Sequence, residues 1–194
     1  IPLFSKIDGS GINFINKVVD SKEDNSFLFR NFYNGGGVAL GDINNDGLPD
    51  VYFAANSKGN NKLYLNKGNF EFEDITTIAK VAGTADWCTG VTMADVNSDG
   101  YLDIYVSTVS GKYGLTGHNE LFINNKDNTF TEQSTEYGLN TSCLTTQSAF
   151  FDFDRDGDLD CYILNQSHHP HANIIDTANR KRYDTLSGDR LYRN

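Results

Sequence analysis

Asp152-Phe153-Asp154-Arg155-Asp156-Gly157-Asp158-Leu159-Asp160 sets five carboxylates into nine residues around a single glycine. At that density the charges repel one another, and a chain that keeps them together calls for a cation. The pattern D-x-[DN]-x-D-G-x-x-D occurs twice more, at residues 42–50 (Asp-Ile-Asn-Asn-Asp-Gly-Leu-Pro-Asp) and 95–103 (Asp-Val-Asn-Ser-Asp-Gly-Tyr-Leu-Asp). The three starts lie 53 and 57 residues apart, a period that belongs to repeat architectures.

Loops of this composition suit a hard divalent cation, and calcium above all, which takes about six to eight oxygen ligands and tolerates irregular geometry. Positions one, three and five offer Asp42, Asn44 and Asp46, then Asp95, Asn97 and Asp99, then Asp152, Asp154 and Asp156. Position nine adds Asp50, Asp103 and Asp160, and position seven (Leu48, Tyr101, Asp158) offers its main-chain carbonyl. The glycine at position six (Gly47, Gly100, Gly157) permits the backbone turn that aims that carbonyl inward. Three calcium sites follow, one per loop. A metal-free turn would use the same residue types, but three copies on one spacing favour the metal. An EF-hand would close with Glu at position twelve, where this chain has Phe53, Val106 and Ile163.

The flanks decide the fold. Gly37-Val-Ala-Leu-Gly, Gly90-Val-Thr-Met-Ala and Ser148-Ala-Phe-Phe lead in, and Val51-Tyr-Phe-Ala, Ile104-Tyr-Val-Ser and Cys161-Tyr-Ile-Leu lead out. Such β-branched and aromatic runs are strands, so each loop joins the strands of a hairpin. Lys62-Leu-Tyr-Leu-Asn and residues 70–76 supply a third and fourth strand; Glu120-Leu-Phe-Ile-Asn and residues 129–135 repeat them. Arg190-Leu-Tyr-Arg-Asn matches the third strand of a last, incomplete copy, after a long connection over residues 166–189. Four-stranded units of this period are the blades of an all-β propeller. The expected organisation is a lead-in over residues 1–36, blades over 37–83 and 84–140, and an incomplete blade over 141–194. About three blades cannot close a ring that needs at least four, so the chain reads as the N-terminal part of a longer protein. Phe4-Ser-Lys-Ile-Asp aligns with Phe72-Glu-Asp-Ile-Thr and Phe130-Thr-Glu-Gln-Ser, and residues 4–8 are expected as a fourth strand closing the ring's last blade. The start at Ile1 reads as a processed or trimmed product.

Composition agrees. The chain is 38% apolar and 22% charged, with a net charge of −10. Ten of its carboxylates are the ligands named above, and three bound divalent cations would bring the formal charge to about −4. Acidity of this kind argues against a nucleic-acid surface, which needs a basic stripe. No stretch approaches the roughly 18–20 apolar residues of a membrane-spanning helix.

Gly-Val-Ala-Leu-Gly-Asp-Ile-Asn-Asn-Asp-Gly-Leu-Pro-Asp over residues 37–50 resembles the core of the FG-GAP or VCBS repeats of integrin-α-like propellers. The Leu-Tyr-Leu-Asn and Phe-Glu-Asp-Ile-Thr elements resemble the bacterial VCBS-repeat proteins akin to cartilage acidic protein. The resemblance covers residues 37–164 most closely. It implies a seven-bladed calcium propeller, secreted or displayed on a cell surface, a bacterial outer-membrane lipoprotein included, that binds a protein or glycan partner or a cell-surface complex and catalyses nothing.

Other residues carry weaker signals. His168, His169 and His171 could bind a transition metal, but a polar loop explains them as well. Cys161 replaces Val51 and Ile104 and reads as a buried thiol; Cys88 and Cys143 are either free or paired. Trp87 reads as core. Asn140-Thr-Ser and Asn165-Gln-Ser are glycosylation sequons, and Asp176-Thr-Ala and Asp184-Thr-Leu resemble bacterial O-glycosylation triplets. The function expected is an extracellular binding or assembly module with structural metal, residues 166–189 being the candidate contact element. The alternative is a polysaccharide lyase or hydrolase on a propeller scaffold, since paired carboxylates are available; no catalytic residue can be named for it.

Overall fold

The computed structural model describes residues 3–22, 25–29, 31–166 and 184–194. The first acidic loop joins β1 (Val38–Gly41) to β2 (Asp50–Phe53), and β3 (Lys62–Asn66) and β4 (Phe72–Asp74) follow in one antiparallel sheet, ordered β1-β2-β3-β4. A second sheet repeats the order with β5 (Cys88–Ala94), β6 (Asp103–Thr108), β7 (Glu120–Asn124) and β8 (Phe130–Glu132). The third holds β9 (Thr145–Phe151), β10 (Asp160–Asn165) and β11 (Arg190–Tyr192), with β10 in the middle. These are propeller blades, four-stranded in the first two copies. Their innermost strands pack side by side, β5 against both β1 and β9.

Register shows why the motif sits where it does. Gly41 pairs with Asp50, Ala94 with Asp103 and Phe151 with Asp160. The ninth residue of each motif is therefore the first residue of the second strand, and the other eight form the hairpin connection.

Burial separates the central blade from its neighbours. Every residue of β6 and β7 is buried, because the second blade is covered on both faces. β1 and β10 keep period-two alternation and leave Val38, Leu40, Tyr162 and Leu164 exposed. One apolar core fills the space between the first two blades around Tyr52, Leu63, Ile104 and Val106. A second lies between the next two, around Tyr105, Leu121, Cys161 and Ile163. Phe29, Phe32 and Trp87 cap one end with Val109 and Leu144, so Trp87 is core as expected.

One expectation is corrected. The fourth strands are shorter than residues 70–76 and 129–135. In the first blade the Asp74 carboxylate accepts hydrogen bonds from both the N–H (3.0 Å) and hydroxyl (2.6 Å) of Thr76, turning the chain into the short helix α1 (Thr76–Ala79). Residues 4–8 pair with no strand of these three blades, and Phe4 is exposed. The chain beyond them crosses the first blade. There Ser10 accepts the Phe72 N–H at 2.8 Å, Asn13 accepts the Tyr64 hydroxyl, and Phe14 stacks on Phe53.

Candidate metal centre

The three loops share one internal geometry. Asp42 accepts the N–H groups of Asp46 and Gly47 (3.1 and 2.7 Å), and Asp95 accepts those of Asp99 and Gly100 (3.0 and 2.8 Å). Asp152 accepts those of Arg155, Asp156 and Gly157. The fifth residue then accepts from the seventh, as Asp46 from Leu48, Asp99 from Tyr101 and Asp156 from Asp158. Each loop is thus a chain of side-chain-to-backbone turns that gathers its carboxylates on one side. Gly47, Gly100 and Gly157 have φ of +86°, +88° and +102°, and a Cβ at any of them would meet nothing within 4 Å. Backbone conformation, not space, demands the glycine.

In the third loop, Asp152, Asp154 and Asp156 are exposed and each offers a carboxylate oxygen within 4.8 Å of the others. This cluster could hold a metal ion. Arg193 partly neutralises it, with Nε 2.8 Å from Asp154 and Nη2 3.3 Å from Asp156. Lys126 stands 3.4 Å from Asp99 in the second loop. Asp156 is held below the usual carboxylate range by the Asp158 N–H and by Arg193. Asp99 is also lowered: desolvation pulls it up, but the Tyr101 N–H and Lys126 outweigh that.

The position-nine aspartates hold a role that sequence reasoning missed. Asp50 accepts Ile43 N–H (3.0 Å) and Asn66 N–H (2.8 Å), Asp103 accepts those of Val96 (3.1 Å) and Asn124 (2.8 Å), and Asp160 those of Phe153 (2.9 Å) and Asn194 (3.0 Å). Each spends both oxygens tying the loop's second residue to the end of the third strand. Burial raises the carboxyls of Asp50 and Asp103, the latter to about 6, against the lowering effect of those N–H groups. The partner asparagines complete the clamp: Asn66 donates to the Pro49 carbonyl and Asn124 to that of Leu102. Asn124 also donates to the Ile43 carbonyl at 2.8 Å, and Asn45 to the Gly100 carbonyl at 2.9 Å, so the first two loops are stitched across the blade boundary. The signal was available, since Asn closes the third-strand segment in all three copies, at residues 62–66, 120–124 and 190–194.

A model of the FG-GAP-like repeat matches residues 42–106 and 109–163, more than half of the chain. The chain belongs to the FG-GAP-like repeat family. Its FG-GAP loops are the acidic hairpin connections just described. Cartilage acidic protein 1 of Xenopus tropicalis is 32% identical over 158 residues, covering 79% of this chain and 23% of the relative. A T-cell immunomodulatory protein homolog of Plasmodium yoelii yoelii is 25% identical over 187 residues, covering 87% of this chain and 25% of that protein. The FG-GAP chain therefore spans about a quarter of the length of these relatives. Among solved structures, an Agrocybe aegerita lectin described as recognising non-reducing terminal N-acetylglucosamine is similar at 20% identity and a TM-score of 0.39, over 66% of this chain and 32% of its own.

The remaining candidates in this FG-GAP protein resolve as follows. Cys88, Cys143 and Cys161 are all free and buried, so Cys88 and Cys143 do not pair. Cys88 begins β5 inside the core, whereas Cys143 lies against the Thr185 carbonyl. Burial pushes the thiols of Cys88 and Cys161 up to about 12. Asn165 is buried and donates to the Gly188 carbonyl at 2.7 Å, which withdraws that sequon from a glycosyltransferase; Asn140 is exposed. His168, His169, His171 and Asp176, with most of the connection over 166–189, lie outside the described residues. No helix among the described residues is long and apolar enough to cross a membrane.

Proposed function

We propose that the chain is part of a calcium-binding β-propeller that works outside the cell or on its surface as a binding or assembly module for a protein or glycan, with the metal in a structural role and no catalytic one. The observation that carries the reading is the convergence of Asp152, Asp154 and Asp156 in a loop whose backbone geometry recurs in the other two. The donor set fits calcium: it is all oxygen and carboxylate-rich, with Asp152, Asp154 and Asp156 exposed, which suits a hard cation and excludes a preference for softer metals.

The residues that would hold the ion are Asp42, Asn44, Asp46 and Asp50, then Asp95, Asn97, Asp99 and Asp103, then Asp152, Asp154, Asp156 and Asp160. The main chain of Leu48, Tyr101 and Asp158 would complete the sets. A bound calcium would supply positive charge that relieves the repulsion within each loop and pins both ends of the hairpin. Calcium sites of extracellular modules work at roughly 0.1 to 1 mM, which matches exposed loops of this kind. The exposed apolar residues of β1 and β10 support further blades on either side, as in a seven-bladed ring with a lead-in over 1–36, blades over 37–83 and 84–140, and a third over 141–194.

Titration calorimetry with calcium, together with thermal melting in EDTA and in calcium, tests the reading. Three sites and a higher melting temperature in calcium are expected. Melting that is indifferent to EDTA, with no heat on calcium addition, would remove the proposal.

A further inference from the structure

The first two blades differ at one pair of equivalent positions. In the first, Lys62 opens β3 and Asp74 ends β4, and the Lys62 Nζ lies 2.8 Å from Asp74 Oδ2. Register places Glu120 and Glu132 at the same points of the second: Phe53 pairs with Lys62 as Val106 does with Glu120, and Tyr64 pairs with Asp74 as Phe122 does with Glu132. The backbone role is kept, since Glu132 Oε1 accepts the Ser134 N–H (2.9 Å) as Asp74 accepts that of Thr76. The cation is not, because a second acid replaces the lysine.

Glu120 is 1% exposed. Its Oε1 accepts the N–H and hydroxyl of Thr84, both at 2.7 Å, while its Oε2 is buried with no hydrogen-bond partner among the described residues. A buried carboxylate oxygen without a partner is costly. Glu120 lines a cavity of about 450 Å³ that lies against α1 and the second blade, together with Glu132, Thr77, Lys80, His118 and Phe122. Glu120 begins β7, whereas the clamp of the metal loop holds Asn124 at the other end of that strand.

We propose that this cavity binds a primary ammonium group carried on an alkyl stem, as in a lysine side chain. The ammonium bridges Glu120 Oε2 and Glu132, and the stem packs along Phe122. It supplies the charge that Lys62 supplies within the first blade. A divalent metal fits less well: among the described residues only Asp152, Asp154 and Asp156 bring three acidic or imidazole ligand atoms within 4.8 Å of one another. A guanidinium would seek two oxygens of one carboxylate, and Glu120 has only one to give. An ammonium has three donors and takes single oxygens from several groups. This site does not rest on the calcium reading.

The test titrates n-butylammonium into the protein with calcium present throughout, by calorimetry or NMR, with tetramethylammonium as the control that lacks N–H donors. Saturable binding of n-butylammonium alone is expected. Glu132→Gln should weaken it roughly tenfold, the scale of one charge-assisted hydrogen bond. Glu120→Lys sets an ammonium where Lys62 stands in the first blade, so it should abolish binding, although the bonds to Thr84 are lost with the carboxylate. Lys80→Met removes a neighbouring positive charge and should leave binding equal or tighter. The proposal is overturned if n-butylammonium does not bind, if tetramethylammonium binds as well, if Glu132→Gln leaves the affinity unchanged, or if Lys80→Met weakens binding.

Discussion

Replacing Asn124 by alanine tests whether the clamp at the base of the loops is an energetic centre of the fold. Its side chain makes three hydrogen bonds: Nδ2 to the Ile43 carbonyl (2.8 Å), Nδ2 to the Leu102 carbonyl (3.1 Å) and Oδ1 from the Lys126 N–H (2.8 Å). Asn124 and Ile43 are both buried, so water cannot replace the first bond, and the bared carbonyl costs about 1–3 kcal/mol. The other two are only partly buried and cost about 1 kcal/mol each. A loss of about 3–5 kcal/mol follows for Asn124→Ala, which in a chain of this size lowers the melting temperature by roughly 6–20 °C. Asn66 is the control, because it occupies the same place but donates to an exposed Pro49 carbonyl and accepts from Gly68. Asn66→Ala should cost only about 1 kcal/mol. Asn124→Asp should be at least as harmful as alanine, since it sets a carboxylate oxygen against two carbonyls. Urea denaturation of all three in EDTA provides the comparison, with metal out of the account. If Asn124→Ala and Asn66→Ala fall within about 0.5 kcal/mol of each other, the cross-blade bond to Ile43 contributes nothing and the reasoning fails.

Gly47→Ala forces a side chain into φ of +86° with open space around it, so it should cost about 1–2 kcal/mol from backbone strain alone; a neutral denaturation midpoint would show that the loop relaxes. Arg193→Ala frees Asp154 and Asp156 of a competing cation and should tighten the third calcium site, whereas Asp156→Ala should remove that site and leave two, both read by calorimetry. Burial raises the Glu120 carboxyl despite its bonds to Thr84. Its contribution to stability is therefore complete below the unfolded-state value of about 4.3 and is lost as pH rises through the higher folded value. Relative to Glu120→Gln, the parent protein should lose stability on going from acid to neutral pH; a constant difference between the two stability curves would contradict the assignment.

Much of the fold could be read from local pattern. The motif D-x-[DN]-x-D-G-x-x-D located the hairpins because it needs a glycine at positive φ and self-bonding Asp and Asn side chains, and those are properties of a few adjacent residues. The β-branched and aromatic flanks located the strands for the same reason, and their recurrence every 53 to 57 residues implied blades. What the sequence alone left undecided depends on residues far apart in the chain. That Asp103 clamps Val96 and Asn124 and that Asn124 crosses to Ile43 in another blade both follow from how the strands pair and the sheets stack. The same is true of Glu120, which composition marks only as one more acid. Its unpartnered oxygen, and its place near the acid that answers to Asp74, exist only once strand pairing within the second blade brings β7 and β8 together.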